Sequence, residues 1–199
     1  MVCADDFDSL RDGVFFWQAY DPAVKVDLSC CARRTGKGLV FIDPIPLAQD
    51  ALERLCASSQ PAGIVLTNGN HERAARTFRD HFHIAIWGHR DAQSELGGCL
   101  DHFLEDGETV FDELTAIGLP GAGSGEIAIL GGEFLHMGDA LIHLPQTGLG
   151  ILPAKYCADF KELRRSLRKL LSFRFEALTF AHGLPVIAQG FQRISQLLE

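Results

Sequence analysis

The sequence predicts an α/β fold in which two β-rich halves pack sheet on sheet, with helices outside. Three observations lead there. Short apolar runs arrive in two batches, over residues 14–42 and 104–137. Segments with helical spacing of apolar residues follow each batch. No linker, low-complexity stretch or charged tail separates the halves, so residues 1–199 read as one domain.

The elements follow in order. Residues 14–20 are rich in aromatic side chains and form a first strand, and residues 24–33 alternate in part and form a second. Thr35-Gly36-Lys37-Gly38 is a turn, and residues 39–42 make a third strand that closes on Asp43-Pro44. Residues 47–58 carry apolar side chains at 47, 51, 52 and 55, the spacing of one helix face, with Pro46 suited to the helix start. Residues 62–67 are a buried strand. Residues 72–80 are a helix, with Asn70 as the expected N-cap and an acidic residue in the first turn. Residues 84–87 are a further short strand, and the Glu-Asp-Gly-Glu turn within residues 104–110 links two more. Residues 114–119, 126–130 and 133–137 are strands broken by the turn at 120–125 and by Gly131-Gly132. Residues 159–171 are the clearest helix. Phe160, Leu163, Leu167, Leu170 and Leu171 form its apolar stripe, and Arg164, Arg165, Arg168 and Lys169 its solvated side. A last strand over residues 177–180 ends at Ala181-His182-Gly183, and residues 188–198 are a final helix.

Bulk properties narrow the function. With 47% hydrophobic residues the chain can bury a core without disulfides. A net charge of −8 argues against a general nucleic-acid binder, whose affinity comes from neutralising phosphates. The six cysteines show no CxxC spacing, so reduced thiols of a cytoplasmic protein are expected. Cys30 and Cys31 are neighbours and should point to opposite faces of a strand. The acidic start carries no apolar stretch, so no signal peptide is expected, and no run approaches the ~20 apolar residues of a membrane span. The expected partner is a small molecule. Oligomeric state is not legible.

Five strand-end turns share a polar or glycine-rich character: Ile42-Asp43-Pro44, residues 67–73, residues 120–125, Met137-Gly138-Asp139 and His182-Gly183. Layered α/β folds hold their sites at such turns. In this order the motifs resemble those of the metallo-β-lactamase superfamily. Its buried Asp corresponds to Asp43. Its Thr-His-x-His-x-Asp-His segment corresponds to Thr67-Asn68-Gly69-Asn70-His71-Glu72-Arg73. Its Pro-Gly-His-Thr-x-Gly turn corresponds to Pro120-Gly121-Ala122-Gly123-Ser124-Gly125, its Gly-Asp to Gly138-Asp139, and its final His-Gly to His182-Gly183. The resemblance implies a four-layer αβ/βα sandwich over nearly the whole chain and a metal-dependent hydrolase ancestry.

It also implies an incomplete metal site. Where the family places the three ligands of its first zinc, this chain has Asn68, Asn70 and Ala122. Where it places those of the second, the chain has Glu72, Arg73 and His182, with Asp139 as the bridge. Alanine cannot coordinate, amide oxygens are poor zinc ligands, and a guanidinium stays protonated. Two readings stay open. In the first, Glu72, Asp139 and His182, with His71, hold one divalent metal (zinc, iron or manganese) and activate water for hydrolysis, with Asp139, His182 and Glu72 as the catalytic set. In the second, Arg73 binds the buried carboxylates and replaces the metal charge, leaving a cleft lined by Asn68, Asn70, Arg73 and Ala122 for a ligand or protein. Plainer roles compete with both: His182 or Asp139 bonded to backbone, Asn70 as a helix cap, and His81 and His83 on the surface. His136 and His143, flanking the Asp139 turn, are further candidates to line the pocket.

Overall fold

Period-two alternation decides the layers. The computed structural model describes residues 2–11 and 13–199. Its first sheet runs β1 (Asp8–Arg11), β2 (Val14–Asp21), β3 (Val26–Thr35), β4 (Gly38–Ile42), then, after α1 (Gln49–Ala57), β5 (Pro61–Leu66), and, after α2 (Ala75–Phe82), β6 (Ile86–His89) and β7 (His102–Leu104). The strands lie side by side in chain order, antiparallel as far as β4 and parallel from β4 to β7. Parallel neighbours need a crossover, and α1 and α2 supply two of them. The chain then passes to a second sheet through β8 (Thr109–Val110), β9 (Leu114–Gly118), β10 (Ile127–Gly131) and β11 (Phe134–Met137). A separate hairpin, β12 (Leu141–Leu144) and β13 (Gly148–Ile151), precedes α3 (Phe160–Leu167), β14 (Ala177–Phe180) and α4 (Gly190–Leu198). The second sheet has the order β14-β11-β10-β9-β8, with β14 parallel to β11.

Side chains sort by strand face. On β4, Leu39 and Phe41 enter the core under α1 and α2, while Val40 and Ile42 enter the core between the sheets. On β10, Ala128 faces the core under α3 and α4, while Ile127 and Ile129 face the inter-sheet core. A slip of one residue would invert every one of these faces, so the register is strongly specified. The result is the expected four-layer αβ/βα sandwich. Cys30 and Cys31 do point to opposite faces, one into each core, and all six cysteines are free. Among the described residues, no helix is long and apolar enough to cross a membrane.

Several elements differ from expectation. The helix expected over 72–80 begins at Ala75, and Ala74 rather than Asn70 precedes it, with no side-chain cap. Residues 68–74 are spent in tight turns, and Arg73 adopts a left-handed φ of 40°, which delays the helix. The strands around residues 104–110 form no hairpin: β7 belongs to the first sheet and β8 to the second. The helix expected over 159–171 is α-helical to Leu167 and continues as a tighter 3₁₀ turn over Arg168–Ser172. Its N-terminus is capped by Asp159, which accepts from the Lys161 and Glu162 amides.

Phe41 is the keystone of the outer core. Its ring lies 4.9 Å from Phe78 edge-on and 5.8 Å from Phe82 in a stack, so it couples β4 to α2. Phe41→Ala should cost about 3–5 kcal/mol, because the surrounding rings cannot close the cavity. Urea unfolding of the variant should show this as a lower midpoint at an unchanged slope.

Candidate functional site

The site grows from one buried carboxylate. Asp43 follows β4 at a left-handed φ of 51° and is fully buried. It accepts from the Thr67 amide (2.8 Å) and the Thr67 hydroxyl, both at the end of β5. Its Oδ2 also lies 2.8 Å from His71 Nδ1 and 3.4 Å from His136 Nε2. Burial alone would raise the Asp43 pKa, but the charges and hydrogen bonds of His71 and His136 overcome it and hold the carboxyl far below its usual range. The two imidazoles shift the other way. Burial opposes their charge, yet Asp43 and then Asp139 push His71 up to about 9. Cys31 and Asp43 likewise push His136 up to about 9. His136, fully buried, is also bonded to Thr179 Oγ1 (2.8 Å) and Cys31 Sγ (3.3 Å), so it lies beneath the cleft and not in its wall.

These contacts set tautomers. A carboxylate only accepts, so His71 Nδ1 carries the hydrogen shared with Asp43. The Asp27 carbonyl, 3.2 Å from His182 Nδ1, imposes the same choice there. Both Nε2 atoms then turn toward Asp139 Oδ1, each at 3.3 Å. His71 Nε2 is buried and has no hydrogen-bond partner among the described residues, its approach to Asp139 being close but misdirected for a hydrogen bond. An orphaned imidazole nitrogen, with its other nitrogen held by a carboxylate, is how proteins present histidine to a metal. The ligand atoms of His71, Asp139 and His182 all lie within 4.8 Å of one another.

Asp139 is steadied from behind. Its Oδ2 accepts from Asn68 Nδ2 (3.1 Å), which also donates to Glu126 Oε2 (2.9 Å). Glu126 Oε1 accepts from the Ala140 amide (2.8 Å), and Asn68 Oδ1 accepts from the Asn70 amide (2.9 Å). Burial, and then the Asp139 charge, push Glu126 up to about 8, while His71 and His182 hold Asp139 well below its usual range against its burial. The packing leaves no room at Gly138, where a Cβ would stand 2.6 Å from Glu126 Oε1 and 2.7 Å from Thr67 Oγ1.

The structure gathers three of the four expected ligands: His71, Asp139 and His182. Glu72 is not among them. Its carboxylate turns away and pairs with Arg76 at 3.0 Å, one helical turn on. His71 takes the inward position because the chain is still in a turn there and not yet helical. Asn70 and Arg73 line the cleft as expected, but Asn68 is wholly buried behind Asp139 and Ala122 is packed into the core under α3. Among the described residues, Arg73 binds carbonyls and a histidine rather than a carboxylate. Its Nη1 donates to the Ser29 and Asp43 carbonyls (2.8 and 3.2 Å), and its Nη2 to the Ala181 carbonyl (3.1 Å) and His182 Nε2 (3.5 Å). His81 and His83 are exposed, and His143 bonds the Leu184 carbonyl. Glu126 escaped the sequence reading. Its signal was a lone carboxylate between Gly125 and the apolar run 127–130.

The raised imidazoles dictate a pH dependence for the metal-free protein. With folded pKa values of about 9 against roughly 6.5 in the unfolded chain, the native state holds extra protons in this window. The stability they contribute is full below about pH 6.5 and is lost as pH rises through 9. Glu126, also raised, adds a loss of the same sign. Urea midpoints should therefore fall between pH 6.5 and 9.5. A midpoint that stays level across that range would mean that both imidazoles are neutral.

Comparison with known proteins agrees with this fold. Among solved structures, the chain is similar to the metallo-β-lactamase DIM-1 exposed to ceftazidime, with 12% identity, a TM-score of 0.77, and 98% of this chain and 97% of that chain covered. It is similar to a metallo-β-lactamase from Erythrobacter litoralis, with 13% identity, a TM-score of 0.75, and 96% and 95% covered. It is also similar to the protein TTHA1623 in a di-iron-bound form, with 23% identity, a TM-score of 0.62, and 84% and 93% covered. At these identities the likeness shows the fold alone. No curated protein matches the sequence. The family described as "Metallo-beta-lactamase superfamily" matches residues 8–199, and the chain belongs to that superfamily.

Proposed function

We propose that this protein is a single-metal hydrolase acting on a small molecule, with His71, Asp139 and His182 as the metal-holding group. The observation that carries the reading is His71 Nε2, buried and without a hydrogen-bond partner, facing Asp139 beside His182 Nε2. Two imidazole nitrogens and one carboxylate oxygen suit zinc, iron or manganese and leave coordination positions open. A metal held there supplies a polarised carbonyl or a water acidic enough to attack near neutral pH.

The chain's own residues do the rest. Asp43 and the Asp27 carbonyl fix the two imidazole tautomers. Asn68 holds one oxygen of Asp139 back and leaves the other forward. His71 releases its extra proton when a metal binds, because only the neutral ring coordinates. Arg73 stands at the cleft floor as a fixed positive charge, where it favours an oxygen that gains negative charge during reaction.

One contact favours a second reading. Arg73 Nη2 stands 3.5 Å from His182 Nε2, the nitrogen a metal would use, and a guanidinium there disfavours a second cation. In that reading the cleft binds a ligand without metal and without catalysis.

Metal content decides between them. Protein purified without chelator should carry about one equivalent of zinc, iron or manganese by plasma emission spectroscopy. His71→Ala and Asp139→Ala should each weaken binding at least tenfold in a competition titration. No metal as purified, and none taken up from micromolar zinc, iron(II) or manganese(II), would establish the metal-free reading.

A further inference from the structure

The cleft has two chemistries. Its volume is about 770 Å³, within the size range of small-molecule sites. The floor carries Asn70, His71, Arg73, Asp139 and His182. The walls above it are aliphatic. Val26 and Leu28 of β3 face one side, and Ile142 and Leu144 of β12 line another. At the mouth, Val24 is 57% exposed and Tyr156 is 63% exposed, with Lys155 Nζ 4.6 Å from the Tyr156 ring centroid. Among the described residues, Asp21 is the one charged residue of the wall.

This division selects a ligand. An aliphatic wall offers no donors or acceptors to a sugar or a nucleotide. Asp21 disfavours an anionic group along the wall. A polar carbonyl or carboxylate is welcome only at the floor, next to the Arg73 guanidinium. The complement of this cleft is therefore one polar end and one linear apolar end.

We propose that the cleft is an acyl-chain site. It takes aliphatic carboxylic esters with the carbonyl at the His71–Asp139–His182 floor and the acyl chain between β3 and β12. The hydrolytic step rests on the single-metal reading above; the binding of the chain does not. In that step the water oxygen bonds to the acyl carbon and the acyl carbon–oxygen bond breaks. The alcohol leaves with one proton of the water. The acid is released as carboxylate, its proton passing to solvent.

Each methylene that leaves water for such a wall gains about fourfold in affinity. Isothermal titration of the metal-free protein with butyrate, hexanoate and octanoate should show a dissociation constant that tightens by about that factor per methylene. The heat-capacity change should grow more negative with chain length. Metal-loaded protein, given nitrophenyl esters with one leaving group and acyl chains from acetate to octanoate, should show kcat/KM rising along the same series. Val24→Asp and Tyr156→Asp, both at solvent-exposed positions, should leave the protein folded and flatten both series to under twofold per methylene. Carboxylates that bind equally at all lengths, or not at all, would overturn the acyl site. Steep binding in a protein that takes up no metal and hydrolyses no ester would uphold the acyl site and sink the hydrolase. Metal-dependent hydrolysis with acetate as good as octanoate would do the reverse.

Discussion

The structure depends on the burial of Asp43. A carboxylate taken fully out of water costs several kcal/mol unless it is paired and hydrogen-bonded. Here Thr67 contributes an amide and a hydroxyl, and His71 and His136 contribute the countercharge. Those partners come from both halves of the molecule. Asp43 and Thr67 end neighbouring strands of the first sheet, while His136 lies on β11 of the second. The cluster is thus an electrostatic seam between the sheets, at the end of an otherwise apolar inter-sheet core. Because His71 is bound into that seam by its Nδ1, its Nε2 has one direction left, which is toward Asp139. The fold and the His71–Asp139–His182 geometry share one cause.

The space around Asn68 and Ala122, which the motif resemblance matches to ligands of a first metal, is filled with protein. Two carboxylates, Asp139 and Glu126, face one another across Asn68, whose single amide nitrogen donates to both. Two like charges so close cannot both ionise easily, and the burden falls on Glu126, whose proton is held to about pH 8. A protonated acid and a bridging amide do the work that a divalent ion does elsewhere: they let two acidic groups share a buried corner. An imidazole at position 68 would lack the NH2 group that donates to both carboxylates, so the amide of Asn68 and the presence of Glu126 belong together.

The layers were legible in sequence because they rest on local alternation. Leu39-Val40-Phe41-Ile42 and Glu126-Ile127-Ala128-Ile129 read directly as strands with two buried faces. The β12–β13 hairpin was not legible: its four-residue strands, with Gly148 and Gly150 in the second, carry too little pattern, yet Ile142 and Leu144 of β12 line the cleft. Within the site, Asp139 and His182 were readable from their turns. The exchange of Glu72 for His71 was only half readable. Counting along a motif assumes that the backbone follows the same path, and here turns at 68–74 rotate the neighbouring side chain inward. The motif places Asn68 in the cleft because nothing near it in sequence reveals Glu126, 58 residues away.

Arg73 shows most plainly why contacts distant in sequence escape a local reading. Its guanidinium gathers carbonyls from residue 29 within β3 and from residues 43 and 181, just past the ends of β4 and β14. Like Asp43, it holds a left-handed backbone that disfavours any residue with a Cβ, a strain of about 1–3 kcal/mol. Such strain persists only where the surroundings over-determine it, and four hydrogen-bond contacts at one guanidinium do so. The consequence is a cation that can neither leave nor lose its proton, beside a nitrogen that a metal would use. In the single-metal reading that fixed charge stands beside the place an incoming ion would take, so the guanidinium disfavours a second cation there. The neighbouring space is already occupied by Asn68, Glu126 and Ala122, so charge and volume act in the same direction.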